Sequence, residues 1–451
     1  MLVKNDKPGK NTLMKRHFLS QLEQWKAERS RKPLIIMGVR QCGKTYLLNE
    51  FGHNRFKRSH YLNFEENPGL EGIFEADLSP ERIITELEFT LETPIDRQKD
   101  LLIFDEIQAC PKAITSLKYF SEQMPELALA CAGSLLGLSL TPGSFPVGKV
   151  SLLHLHPMSF AEFLLALEED QLLNACELAK MNHTLPITAH EKLWERFKWY
   201  LITGGLPEVV QCFVDNRHSL FNAFEQARNK QDTLIKSYYA DIAKHAGAQN
   251  ALHIQRVFES IPRQLARTHN SQAPRFQFKD VIPGIQHAER LHGAIDWLKK
   301  AGLVLQTPII RHIEMPLNAQ AKENLFKLYG FDVGILNAMN DTPAKSILDY
   351  DFGSYKGYIA ENFVAQMLNK NSHKLFCWQQ DRAEIEFITL LSDSITPIEV
   401  KAGHVTKAKS LEKFLALYSP SNSIILSGNP LNIEPQSTQK LPLYLSEWLP
   451  V

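Results

Sequence analysis

Eight consecutive residues, Gly38-Val39-Arg40-Gln41-Cys42-Gly43-Lys44-Thr45, satisfy the pattern G-x-x-x-x-G-K-[ST] at every position. Residues of these types at this spacing can cradle a polyphosphate. The glycines let backbone N–H groups of the loop, those of Arg40, Gln41 and Cys42 among them, converge on phosphate oxygens at a helix N-terminus. The Lys44 ammonium supplies a point charge for the β and γ phosphates, and the Thr45 hydroxyl can take a place on magnesium. Ordinary residue usage yields such a match by chance on the order of once in a hundred chains of this length. Cys42 lies where the same N–H groups would favour a thiolate, although a packing cysteine is the plainer reading of that position.

A second run, Leu101-Leu102-Ile103-Phe104-Asp105-Glu106, delivers two carboxylates at the end of an apolar stretch. Ligands of open α/β sheets bind at the carboxyl ends of strands. Asp105 is therefore expected in the magnesium shell, and Glu106 is expected to orient and deprotonate an attacking water. Together the two motifs describe a nucleotide hydrolase rather than a bare binder.

These groups need a scaffold. Leu34-Ile35-Ile36-Met37 reads as a buried strand, followed by the glycine loop and a helical Tyr46-Leu47-Leu48. Leu101 to Phe104 and Leu127 to Ala132 read as two further strands, and three such strands with helical connections predict a parallel α/β sheet. From about Glu162 to His245 the periodicity is helical, broken at Thr203-Gly204-Gly205-Leu206-Pro207. Around Ile254 to His312 a helix, a short extended Phe276-Gln277-Phe278, a second helix, a turn and a β-rich hairpin follow one another, the order of a winged helix-turn-helix.

Near the C-terminus a second constellation stands out. Glu361 falls on an amphipathic helix, Glu386 in the strand Glu384-Ile385-Glu386-Phe387, and Glu399 beside Lys401 in Ile398-Glu399-Val400-Lys401. Strand alternation puts Glu399 and Lys401 on one face. Converging carboxylates with a lysine could hold a second Mg²⁺ or Mn²⁺ against a phosphodiester, leaving the ammonium to neutralise developing charge. The bland alternative is a sheet with solvated edge charges.

The chain has 451 residues, of which 44% are hydrophobic and 22% charged, the composition of a folded protein of several domains. Fifty basic residues balance fifty acidic ones, so any attraction to nucleic acid must be local. Nine basic residues face three acidic ones between Lys4 and Lys32, and ten carboxylates lie between Tyr61 and Arg97. Six scattered cysteines form no ligand spacing and no disulfide framework, and neither a secretory signal nor a membrane span is expected. A reducing, cytoplasmic setting fits best.

Almost end to end, the chain resembles the prokaryotic P-loop ATPases of the AAA type that carry a large uncharacterised C-terminal region. The resemblance rests on the glycine loop with Arg40-Gln41 inside it, on Phe104-Asp105-Glu106-Ile107-Gln108, on Ala132-Gly133-Ser134, on His156-Pro157-Met158-Ser159-Phe160-Ala161-Glu162-Phe163 and on Gly204-Gly205-Leu206-Pro207-Glu208. It implies ATP and Mg²⁺ as ligands and Ser134 as a sensor of the γ-phosphate. It also implies an ATPase core over residues 1–165, a helical lid over 166–248, a winged helix over 249–312 and a restriction-endonuclease-like α/β domain over 313–451. Two functions follow: an ATPase driving a nucleic-acid-directed, nuclease-like module, or an ATP-dependent signalling switch whose C-terminal module binds a protein partner and cuts nothing. Oligomerisation is compatible with both.

Overall fold

A computed structural model describes residues 14–133, 146–267, 275–278, 281–282, 289–351, 353, 355–404, 408–433 and 438–450. The N-terminal part is built on a five-stranded sheet of β1 (Leu34–Met37), β2 (Arg58–Asn63), β3 (Asp100–Asp105), β4 (Ala128–Ala132) and β5 (Ser151–His154), in the order β2-β3-β4-β1-β5. All of its pairings are parallel. Strand alternation sorts the side chains into two layers. Leu34, Ile36, Leu101 and Ile103 pack with Leu47, Leu48 and Phe51 of the helix Lys44–Arg55. Ile35, Leu102, Phe104 and Leu129 pack with the helices Pro80–Leu91 and Pro111–Gln123. Covered on both faces, β3 and β4 are wholly buried, which is why they read as continuous apolar runs.

Three of the five strands were expected. The other two, β2 and β5, lie at the sheet's edges, where β5 alternates between half-buried and exposed residues and β2 opens with two exposed ones. Neither could carry an uninterrupted apolar signal.

The helices Phe160–Ala166, Asp170–Asn182, Ile187–Thr203, Pro207–Asn216 and Leu220–His245 follow, as the periodicity predicts. Beyond them lies a seven-stranded mixed sheet of β6 (Val304–Ile310), β7 (Phe326–Gly330), β8 (Phe376–Gln380), β9 (Ala383–Leu391), β10 (Ser394–Val400), β11 (Ile424–Ser427) and β12 (Gln439–Pro442), in the order β12-β11-β10-β9-β8-β6-β7. The helix Tyr355–Lys370 packs on it through Phe363 with Phe387, Ile398 and Leu426, while the helix Lys409–Tyr418 packs through Leu411 and Phe414 with Trp378, Ile385 and Ile425.

Helix Ala248–Arg267, an extended segment at 275–278 that donates from Phe276 to the Phe326 carbonyl, helix Glu289–Lys300 and the β6–β7 hairpin keep the expected order. Yet β6 also pairs in parallel with β8, so the hairpin belongs to the C-terminal sheet, which runs across the boundary expected at 312/313. One continuous apolar core reaches from Leu34 through the helical region to Leu426. All six cysteines are free thiols, and no helix among the described residues is long and apolar enough to cross a membrane.

Candidate nucleotide site

The loop after β1 turns back on itself under steric constraint. Gly38 has φ +152°, and a Cβ there would meet the Leu155 carbonyl oxygen at 2.2 Å, so no side chain fits. Gln41 is also at positive φ, and Gly43, at φ +93°, caps the helix Lys44–Arg55. Lys44 is buried, with its Nζ donating to the carbonyls of Gly38 at 2.9 Å and Val39 at 3.0 Å. The ammonium is thus held across the loop by the loop's own backbone. Cys42 is the packing cysteine: fully buried in the core, it contributes backbone to the loop and no accessible thiol.

Asp105, at the end of β3, is brought to the loop although β4 separates β3 from β1. Its Oδ2 accepts from Thr45 Oγ1 and from Tyr61 Oη, each at 2.7 Å, and its Oδ1 accepts from the Glu106 backbone at 3.0 Å. One carboxylate and one hydroxyl in contact are what a magnesium ion bound mainly by phosphate and water requires of a protein. Burial and the bond to Asp105 push the Tyr61 hydroxyl well above its ordinary range, so it stays a donor. Sequence reasoning missed Tyr61 because it missed β2. Glu106 sits at φ +47°, a left-handed conformation that costs a non-glycine residue energy, and its carboxylate accepts from the Gln108 amide. Ser134 lies outside the described residues.

A cavity of about 530 Å³ opens over the loop, with Arg40, Gln41, Gly43, Lys44, Thr45 and Glu106 in its wall. Met14, Tyr46 and the first turn of the helix Pro207–Asn216 complete it. Three elements brace this mouth. Arg16 is buried and joins Glu162 at 3.1 Å, the Cys42 carbonyl at 3.0 Å and the His156 carbonyl at 2.6 Å. Burial opposes ionisation of Glu162, but Arg16, Lys370 and the Ser159 backbone outweigh it and hold the carboxyl down at about 2. Arg40 pairs with Asp241, and its carbonyl accepts from Tyr238 at 3.1 Å, so one face of the helix Leu220–His245 grips the loop. The Gly204-Gly205 turn presses on the Pro157-Met158 segment: a Cβ on Gly205 would lie 2.0 Å from the Met158 carbonyl oxygen. Gly205 N–H donates at 2.7 Å to Asp332, tying this turn to the C-terminal part.

The C-terminal constellation does assemble, with Glu361 and Glu399 paired to neighbouring cations. Lys401 pairs with Glu399, and Glu386 accepts from the Val400 N–H at 2.9 Å. Two residues that the sequence did not single out reorganise the cluster. Lys327, from β7, is almost wholly buried and pairs with both Glu384 and Glu361, the latter at 3.1 Å, while Tyr329 also donates to Glu361. Burial pushes the Glu384, Glu386 and Glu399 carboxyls up; for Glu386, the neighbouring Glu399 and Glu361 add to it. A buried ammonium thus supplies the positive charge that a divalent ion was expected to bring. Among the described residues no group of three or more His, Cys, Asp or Glu side chains is arranged to hold a metal ion. Of the lysines that follow, Lys413 is occupied by Asp381.

Residues 30–164 match the family model described as an AAA domain. This stretch is an AAA domain with the P-loop ATPase fold. Residues 195–346 and 356–444 match two models described only as domains of unknown function, DUF8612 and DUF4143. No curated protein matches the chain. Among solved structures, the Walker-type ATPase PABY2304 of Pyrococcus abyssi is 15% identical, with 73% of this chain and 96% of that one covered at a TM-score of 0.47. The Orc1 protein of Aeropyrum pernix in complex with DNA is 16% identical, with 74% and 94% covered at 0.28. Cdc6p from Pyrobaculum aerophilum is 14% identical, with 77% and 97% covered at 0.28.

Proposed function

We propose that the protein hydrolyses ATP and uses the cycle to shift its helical region against its C-terminal sheet, which acts on nucleic acid without cutting it. The observation that carries the first part is the contact of Thr45 with Asp105 beside Glu106 at the mouth of the glycine loop. Lys44 would draw the β and γ phosphates, the loop N–H groups would orient them, and Met14 and Tyr46 would offer apolar surface to a base. Glu106 would take the proton of the attacking water. Magnesium, held by Thr45 and Asp105, would neutralise phosphate charge.

Nucleotide-dependent movement has two routes outward: the grip of Tyr238 and Asp241 on Arg40, and the link from Gly205 to Asp332. The nucleic-acid partner is supported by the helix, strand, helix and hairpin order around Ala248 to Gly330. The absence of cleavage is supported by Lys327, which already pairs with Glu361, one of the carboxylates a metal would need, and with Glu384. The test is ATP turnover measured alone and with single- and double-stranded DNA and RNA, followed by inspection of the nucleic acid. We expect turnover that rises with one of these polymers and leaves it intact. No turnover at all sinks the ATPase reading. Turnover indifferent to every polymer leaves the protein-binding switch, and cleavage restores the nuclease.

A further inference from the structure

The glycine loop borders a second cavity. Its volume is about 600 Å³, and its wall joins Val39, the residues after β5, the turn before β6 and the chain that leaves the helix Tyr355–Lys370. The contact with the loop is direct, since a Cβ on Gly302 would lie 3.6 Å from the Val39 nitrogen. The lining holds Lys299, Lys374, His154, His156 and His373, and no aspartate or glutamate. Lys299 also reaches Asp296 at 3.7 Å on the outer surface.

His373 is the built feature of this cavity. It is 8% exposed, its Nε2 is buried without a hydrogen-bond partner, and the ring bonds the backbone of Leu390. With Nε2 unpartnered, that bond belongs to Nδ1, and donation there fixes the tautomer in which Nε2 presents a lone pair. Burial lowers the basicity of His373, which keeps that lone pair available. The cavity wall therefore carries ammonium charge for an anion beside a buried imidazole nitrogen that has no hydrogen-bond partner. Phe331 and Leu375 add apolar wall.

We propose that this cavity is a second ligand site for a phosphomonoester bearing hydroxyl groups, of the nucleoside monophosphate or sugar phosphate class, and that its occupancy alters nucleotide affinity at the glycine loop. The coupling clause rests on the ATPase reading; the binding clause does not. Three contacts can carry the coupling. Val39 belongs to the cavity wall, while its carbonyl accepts from Lys44. The His156 carbonyl and the Cys42 carbonyl are both held by Arg16. His154, stacked on His156 with ring centroids 5.0 Å apart, is held below its ordinary basicity by desolvation among its neighbours and by the Lys44 charge.

Calorimetry on the full chain carrying Lys44→Ala, with AMP, GMP and ribose 5-phosphate as probes, reads this site apart from the glycine loop. The expected result is saturable binding of at least one probe, weakened at least tenfold by adding Lys374→Glu and likewise by His373→Phe. Binding of the nucleotides alone assigns the base a part; equal binding of ribose 5-phosphate assigns the sugar phosphate. In the parent, the same probe should shift ATP affinity severalfold, and Lys374→Glu, an exposed change that leaves folding intact, should remove the shift. No saturable binding of any probe, or binding indifferent to Lys374→Glu, overturns the site. Binding that leaves ATP affinity unmoved overturns the coupling.

Discussion

The glycine-loop site and the C-terminal cluster use the same chemical parts: carboxylates, a buried lysine and a tyrosine hydroxyl. They differ in what the lysine touches. Lys44 is held by two neutral carbonyls and keeps its charge for a ligand, whereas Lys327 is held by two carboxylates that consume it. They differ equally in the tyrosine's partner. Tyr61 steadies the carboxylate that Thr45 also holds, while Tyr329 adds a further bond to a carboxylate already paired. Placement differs as well: Asp105 ends a strand of the parallel sheet beside the glycine loop, whereas Glu361 comes from a helix and Glu384 from the neighbouring mixed sheet, with Lys327 between them. Residue types alone do not make a site; the charge left over after local pairing does.

The sharpest way to break this comparison is to remove the two groups that the first site leaves available. Glu106→Gln should keep ATP binding and lower turnover about a thousandfold, the scale of a lost general base. Lys44→Ala should weaken binding and turnover together. Steady-state hydrolysis beside equilibrium binding separates the two variants, and a Glu106→Gln protein that hydrolyses ATP at the parent rate removes the assigned base.

In the second cluster the matching substitution should strike stability. Lys327→Met leaves Glu361 and Glu384 buried without their cation and should cost about 3–5 kcal/mol, read by denaturant unfolding. Manganese calorimetry on the parent completes the test. Saturable binding abolished by Glu399→Ala would show that the ammonium yields to a metal, and the distinction between the two sites would collapse.

How far the sequence could see follows from the same physics. The glycine loop, β1 and the Asp105-Glu106 pair were legible because each is a local pattern, the strands imposed by burial on both faces and the loop by backbone that only glycine can take. Tyr61 was not, because its strand lies at an edge and opens with two exposed residues. Lys327 was invisible for a different reason: its partners Glu361 and Glu384 come from other elements, so no spacing announces them. Arg16 was read as part of a basic run, yet it is buried against Glu162, 146 residues away. Glu361, Glu386, Glu399 and Lys401 do lie together, but Lys327 and Tyr329, two residues outside the set, share their pairing.

Acid titration sharpens the comparison at an intermediate scale, because carboxyls in the two regions shift in opposite directions. Glu162 is held down at about 2 against an ordinary 4.5. Its contribution is present above 4.5 and is lost as pH falls toward 2, about 3 kcal/mol in all. Raised groups such as Glu386 have the opposite sign: the folded state takes up their protons first, so they favour folding progressively as pH falls toward 4.5. Unfolding free energies measured from pH 5 to pH 2 should therefore fall in the parent, and the Glu162→Gln variant should lose that slope while starting less stable. An unchanged slope would mean that Arg16 does not hold the carboxylate.

The smallest effect belongs to Tyr61. Tyr61→Phe removes one hydrogen bond to Asp105 and keeps the ring, the Thr45 contact and the β2–β3 pairing. A single such bond is worth about 1 kcal/mol, somewhat more when the acceptor is charged. Turnover should therefore fall only severalfold, and most of the fall should appear as a higher magnesium concentration for half-maximal rate, since the substitution loosens the ligand and not the base. Phenylalanine should also leave the glycine loop untouched, so ATP affinity without magnesium should match the parent. If turnover instead falls a hundredfold at saturating magnesium, Tyr61 acts on the reacting phosphate itself, and the first site would owe its chemistry to a strand that carries no motif.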